Sequence, residues 1–313
     1  MIYLNLLILY SLSFISGISK TRTVNRNELG NTFVQTNLPD TMLLRQKISA
    51  ELSRHPEGIF GIAFKDLQSG ETFFMNERLT FHAASTMKTP VLIETYKQAS
   101  EGKFTIHDSI LIKNEFKSIV DGSAYSLTAQ DDSEKDLYDK IGSRLPIYDV
   151  LHRMITMSSN LATNIMIELV GADKVNTTMR AIGANDIQVL RGVEDNKAFQ
   201  QGLNNTTNAY DLMLIMEQLA LGTAVNKEAS EAMIGILMNQ HFNEKIGGNL
   251  PKEVKVASKS GSITAVSHDS GIVFLPDGRK YVVVLLSKGV YNLEDVDKTL
   301  ARISRILYDY LVE

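Results

Sequence analysis

Phe81-His82-Ala83-Ala84-Ser85-Thr86-Met87-Lys88-Thr89-Pro90 holds both a structural and a chemical signal. From Ser85 to about Ala99 the apolar residues Met87, Val91, Leu92, Ile93 and Tyr96 fall in one sector at helical spacing, and Gly102 marks the end. In a helix the side chains at i and i+3 share a face, one turn apart, so the Lys88 ammonium can reach the Ser85 hydroxyl. A serine hydroxyl is a poor nucleophile until a neighbour accepts its proton. A lysine can do so when burial and nearby cations depress its pKa. The spacing alone is weak evidence, because Ser100-Glu101-Gly102-Lys103 repeats it at a helix end, where it reads as accidental.

Moving outward, strands flank this helix on the N-terminal side. Ile59 to Lys65 and Glu71 to Met75 form a hairpin around the turn Gln68-Ser69-Gly70, preceded by a helix from about Thr41 to Leu52. The middle of the chain, about Asn114 to Gln240, is mainly helical in pattern, most clearly at Tyr148 to Met157, Leu161 to Val170 and Tyr210 to Leu221. Strands return at Val254 to Ser258, Ser270 to Leu275 and Tyr281 to Ser287, the last two joined by Pro276-Asp277-Gly278. A helix from Leu293 to Leu311 closes the chain. Strands at both ends with helices between them imply an α+β fold: one mainly antiparallel sheet of about five strands, covered by the first and last helices, beside an all-helical lobe. The expected division is a sheet lobe at about 40–100 and 241–313 and a helical lobe at about 101–240, with a small-molecule pocket between them.

Two further constellations carry polar groups suited to such a pocket. Ser158-Ser159-Asn160 sits in a short break between helices. Ser158 could relay a proton there, and Asn160 could hold an amide with its donor and acceptor. A helix N-cap at Ser159 or Asn160 accounts for the same residues. Lys259-Ser260-Gly261 lies at the end of a strand, where a cation and a hydroxyl could bind a carboxylate and the glycine lets a substrate lie close. An edge-strand lysine before a turn is the alternative.

Taken together in this order, the three motifs resemble the S-x-x-K, S-D-N and K-T-G set of class A β-lactamases and penicillin-binding proteins. The flanks share the likeness. Phe81 to Pro90 resembles the nucleophile segment, and Met154-Ile155-Thr156-Met157-Ser158-Ser159-Asn160-Leu161-Ala162-Thr163-Asn164 resembles the S-D-N segment. His268-Asp269-Ser270-Gly271-Ile272-Val273 with Leu275-Pro276-Asp277-Gly278-Arg279 resembles the strand pair after K-T-G. The resemblance spans about residues 40–313, the expected catalytic domain. It implies that Ser85 attacks a lactam or amide carbonyl, that Lys88 helps deprotonate it, and that Ser158 passes a proton to the leaving nitrogen. The backbone N–H groups of Ser85 and Ser262 would form the oxyanion hole. Asn160, Lys259, Ser260 and Gly261 would place the substrate, and Asp269 would be structural.

The chain departs from that pattern twice. Ser159 stands where the S-D-N aspartate would brace the turn. The family's deacylating glutamate follows an arginine by two residues, with an asparagine four residues later. Here Arg191-Gly192-Val193-Glu194-Asp195 places the glutamate one position late, and position 198 is Ala198. Glu194 is the candidate base, Asp195 competes with it, and a loop carboxylate paired with Arg191 is the plain alternative. The substrate implied is a β-lactam or a D-Ala-D-Ala-like peptide. A D,D-peptidase or other cell-envelope amide or ester serine hydrolase that deacylates lactams slowly, and a non-catalytic β-lactam or peptidoglycan binding or sensor module, are the competing readings.

Composition sets further bounds. The 313 residues carry a formal net charge of -4 and no long basic run, so nucleic acid is not an expected partner. There is no cysteine, which excludes disulfides and thiolate chemistry. The six histidines, among them His82, His152 and His268, show no metal-ligand spacing, so no cofactor or metal is expected. Met1 to Ser19 is apolar and reads as a secretory signal peptide, and 20–39 as a linker. The expected protein is therefore exported and monomeric, without stable membrane insertion after cleavage; an uncleaved anchor is the alternative.

Overall fold

In the computed structural model, which describes residues 40–312, nine α-helices and eleven strands alternate along the chain. The expected signal peptide and linker lie outside the described residues. The elements run α1 (Asp40–Leu52), β1 (Ile59–Asp66), β2 (Thr72–Met75), β3 (Phe81–His82), α2 (Lys88–Ser100), β4 (Ser109–Leu111), β5 (Phe116–Lys117) and β6 (Ala124–Tyr125). Then come β7 (Arg144–Pro146), α3 (Ile147–Thr156), α4 (Asn160–Val170), α5 (Ala172–Ile182), α6 (Asn196–Gln200), β8 (Thr206–Thr207), α7 (Ala209–Ala220) and α8 (Lys227–Leu237). The chain ends with β9 (Lys255–Ile263), β10 (Val266–Phe274), β11 (Lys280–Lys288) and α9 (Leu293–Val312).

The early hairpin and the three late strands form one antiparallel sheet in the order β2-β1-β11-β10-β9, as their alternation implies. Successive side chains on a strand point to opposite faces. On β1 and β11, Ile62, Phe64, Val283 and Leu285 pack with Leu44 and Ile48 of α1 and with Val296, Leu300, Ile303 and Leu307 of α9. Their neighbours Ala63, Val282, Val284 and Leu286 join a second cluster with α2, α3, α4 and α7. Each fully buried aliphatic side chain contributes about 1.5–3 kcal/mol, so both faces of the sheet are held firmly. This second cluster also takes in Ala257 of β9 and Met233, Ile236 and Leu237 of α8.

Four local details differ from expectation. The nucleophile segment is not an α-helix from Ser85. Ala84–Met87 form a 3₁₀ turn that passes into α2 at Lys88. Residues i and i+3 eclipse in a 3₁₀ turn, which keeps Ser85 and Lys88 on one side. Lys259-Ser260-Gly261 lies within β9 rather than at its end, because β9 continues to Ile263 in pairing with β10. β10 likewise begins at Val266, since the polar residues His268, Asp269 and Ser270 are buried inside the sheet. The middle region is also less helical than its pattern implied. Residues 126–143 hold only the 3₁₀ turn Tyr138–Lys140.

Candidate active site

The three motifs meet at a cavity of about 570 Å³ lined by Ser85, Ser158, Asn160, Glu194, Ser260, Gly261 and Ser262, among others. Each wall has a local cause. Ala84 adopts φ +45°, and its N–H bonds to His82 Nδ1 at 3.0 Å, which turns the chain sharply before Ser85. Ser85 is left partly exposed, and its hydroxyl has no hydrogen-bond partner among the described residues. Strand β9 packs against this turn. On Gly261 a Cβ would lie 2.7 Å from the Ser85 nitrogen and 3.1 Å from Ala84 Cβ, so only glycine allows the approach.

Lys88 is fully buried beneath the cavity floor. Its ammonium donates to Ser158 O (2.7 Å), Ser158 Oγ (3.2 Å) and Asn160 Oδ1 (3.1 Å). Burial pulls its pKa down to about 7, with Asp132 and Glu194 opposing the fall. Lys259 shares a strand face with Ala257 and so points to the same side of the sheet. It too is fully buried, and donates to Ser158 Oγ (3.2 Å) and Ser260 O (2.8 Å). Burial, then the Lys88 charge, lowers its pKa well below the usual lysine range. The Ser158 hydroxyl thus accepts from two ammonium groups, which leaves its own proton free to point elsewhere.

Ser158 adopts φ +56° in the break before α4. Ser159 is the N-cap, accepting from Ala162 N, and Asn160 is the first helical residue. Capping and site roles therefore divide between neighbours. Asn160 Nδ2 donates to Glu194 Oε1 at 2.9 Å, so hydrogen bonds run without a gap through Lys259, Ser158, Lys88, Asn160 and Glu194.

Glu194 faces the cavity at φ +62°. Burial raises its pKa, Asp132 and Asp131 add to the rise, and the Asn160 bond and Lys88 oppose it. Asp195 is turned away. It caps α6 at Ala198 N and binds Ser118 Oγ (2.8 Å) and Ile119 N (2.9 Å). Arg191 pairs with neither carboxylate; its guanidinium donates to Leu203 O, Gly192 O and Asn204 Oδ1. Asp269 is fully buried on the opposite face of β10, accepting from Ile246 N and Ser270 N. The second Ser-x-x-Lys is unrelated to the cavity, since Ser100 Oγ bonds back to Lys97 O.

Several contributors escaped sequence reasoning. Asn164 holds the Glu194 loop by accepting from Val193 N and donating to Val193 O. Asn205 binds Leu190 N and Arg191 N through Oδ1, and its carbonyl accepts from Ala83 N beside the nucleophile turn. Asp132 binds the start of α4. Asn164 lay in the segment whose likeness was noted; Asn205 and Asp132 carry no local signal of this kind.

The chain is similar to known proteins over most of its length. The family model described as the Beta-lactamase enzyme family matches residues 43–311. β-Lactamase VEB-1 of Pseudomonas aeruginosa is 22% identical over 271 residues, covering 80% of this chain and 84% of that protein. The β-lactamase structure from Sphaerobacter thermophilus superposes with a TM-score of 0.74 at 26% identity, covering 86% of this chain and 97% of that one. A structure described as PBP-A gives the same TM-score, 0.74, at 26% identity, covering 86% and 96%.

Proposed function

The chain belongs to the β-lactamase enzyme family, and we propose that it opens the β-lactam amide through an acyl-enzyme on Ser85 and then hydrolyses that ester. The observation that carries this is the Ser158 hydroxyl held between Lys88 and Lys259 in the cavity that Ser85 also lines. With a pKa of about 7, a large fraction of Lys88 is neutral at physiological pH and accepts the Ser85 proton as Oγ attacks the carbonyl carbon. The N–H groups of Ser85 and Ser262 take the developing oxyanion; such donors act where charge appears in the transition state. As the carbon–nitrogen bond breaks, the nitrogen takes the Ser158 proton, and Lys88 returns its proton to Ser158. Lys259 and Ser260 bind the substrate carboxylate, and Asn160 holds the side-chain amide.

Deacylation needs a base on the water. Glu194 is the supported choice, since it faces the cavity while Asp195 is spent on capping. It takes a proton from water as the oxygen attacks the ester carbon, and that proton is passed on to Ser85 Oγ as the carbon–oxygen bond breaks, which regenerates both the alcohol and the Glu194 carboxylate. No described helix is long and apolar enough to cross a membrane. The apolar leader supports export.

A second reading, a D,D-peptidase trapped by lactams, is favoured by the late position of Glu194 and by the similarity to PBP-A. Steady-state assays with a chromogenic cephalosporin and an acyl-D-Ala-D-Ala peptide separate the two. Rapid lactam turnover without a persistent adduct is expected. A stable adduct with peptide turnover would establish the second reading instead.

A further inference from the structure

Ser159 removes a carboxylate from the turn that carries Ser158 and Asn160, yet a carboxylate is still there. Asp132, 3% exposed, comes from the irregular segment 126–143 and lies against the first turn of α4. It accepts from Asn160 N (3.0 and 2.9 Å), Leu161 N (2.9 Å), Tyr138 OH (3.0 Å) and, more weakly, Ser159 Oγ (3.4 Å). Ser159 Oγ takes Ala162 N, and its carbonyl takes Thr163 N. The four N–H groups that a helix start leaves without an intrahelical partner are therefore all satisfied: Ser159 N by Arg153 O, Asn160 N and Leu161 N by Asp132, and Ala162 N by Ser159 Oγ. The negative charge also sits at the positive end of the helix dipole.

The segment is fastened for this task. Ser133 Oγ donates to Met157 O (2.7 Å), Glu134 pairs with Arg153 of α3, and Leu137 is fully buried in the core. Lys88 grips the same turn from the other side, through Ser158 O and Asn160 Oδ1. The turn is held between Lys88 and the Asp132 carboxylate.

We propose that Asp132 is the positioning residue of this turn: it fixes Ser158 and Asn160 for acyl transfer and supplies the anion facing Lys88 that residue 159 does not. The proposal rests on the Ser85 reading above. Asp132 touches no reacting atom and acts through the backbone of Asn160 and Leu161 and through its charge. The groups that set the local balance are Glu134 and Tyr138 on its own segment, Arg153 of α3, Glu194 of the loop, Lys88 of α2 and Lys259 of β9.

The test exchanges the two residues. Asp132→Ser, the exchange Asp132→Ser/Ser159→Asp, and Ser85→Ala are compared by single-turnover acylation with a chromogenic cephalosporin across pH, with circular dichroism as the folding check. Loss of charge-assisted hydrogen bonds slows acylation in Asp132→Ser by about 10- to 100-fold. Its acid limb moves to lower pH, because Lys88 loses a neighbouring anion that holds its proton. The exchange variant regains most of the rate and the original limb, since aspartate is itself a favoured N-cap. Wild-type acylation and an unmoved limb in folded Asp132→Ser overturn the proposal. So does an exchange variant that fails to fold or stays as slow as the single one. An inactive Ser85→Ala beside an active wild type keeps the Ser85 reading intact in either event.

Discussion

Replacing Glu194 with glutamine separates the two halves of the reaction. The side chain keeps its shape and an oxygen that can accept from Asn160 Nδ2, now at 2.9 Å, but it cannot take a proton from water. A positioned base is worth roughly 10²–10⁴ in rate. At 1.36 kcal/mol per decade, that is about 3–5 kcal/mol on the deacylation barrier. Acylation through Lys88 and Ser158 is left nearly unchanged, so the acyl-enzyme accumulates. Stability moves the other way. Burial raises the Glu194 pKa above the usual 4.5, so between that value and the folded pKa the native state binds more protons than the unfolded chain. Native stability therefore falls as pH rises through that window, and removing the ionised group at pH 7 leaves the melting temperature equal or higher. Stopped-flow absorbance with a chromogenic cephalosporin gives the burst and the steady state, and intact-protein mass spectrometry gives the adduct. Steady-state turnover at the wild-type rate with no adduct would refute the assignment of Glu194 as base.

Three other perturbations probe separate parts of the geometry. Asp195→Asn keeps a capping oxygen for α6 but sets its NH2 group against Ile119 N, which loses its acceptor; it is expected to cost about 1–3 kcal/mol in denaturant unfolding without trapping an adduct. A selective deacylation block in that variant would move the base to Asp195. Gly261→Ala forces a Cβ to 2.7 Å from the Ser85 nitrogen, so β9 and the oxyanion site separate, and acylation drops by about 10²–10³ while the melting temperature changes little; an unimpaired rate would mean that β9 does not close the site. His268 is fully buried with its pKa pulled from 6.5 to about 4 by desolvation, so the unfolded chain binds the proton first. Stability is then lost as pH falls from about 6.5 to about 4, by about 3 kcal/mol in all. His268→Gln flattens that limb in urea melts at pH 7 and 4.5, and an unchanged slope would assign the acid sensitivity elsewhere.

Much of the sheet is legible because β1 and β11 are long and apolar on both sides, and the hairpin turn at Gln68-Ser69-Gly70 is explicit. β10 is harder to delimit, since its first half, Val266-Ser267-His268-Asp269-Ser270, is polar in composition yet buried. Ser85, Lys88, Ser158 and Lys259 stand out because each belongs to a short run of neighbours with characteristic spacing. The supports do not. Asp132 belongs to the acidic run Asp131-Asp132-Ser133-Glu134, which reads as a solvated loop until the fold folds it against α4. Glu194 and Asp195 are both loop carboxylates in the sequence, and only the folded contacts separate them, Glu194 facing the cavity and Asp195 spent on Ala198, Ser118 and Ile119. Long-range hydrogen bonds of this kind leave no periodic trace along the chain.

Ser85 chemistry is tested most directly by intact-protein mass spectrometry of Glu194→Gln and Ser85→Ala/Glu194→Gln after exposure to a penicillin. A mass increase equal to the whole antibiotic, mapped by peptide digestion to Ser85, is predicted for the first protein and none for the second. An adduct of equal occupancy in the variant lacking the serine hydroxyl would contradict the acyl-enzyme on Ser85.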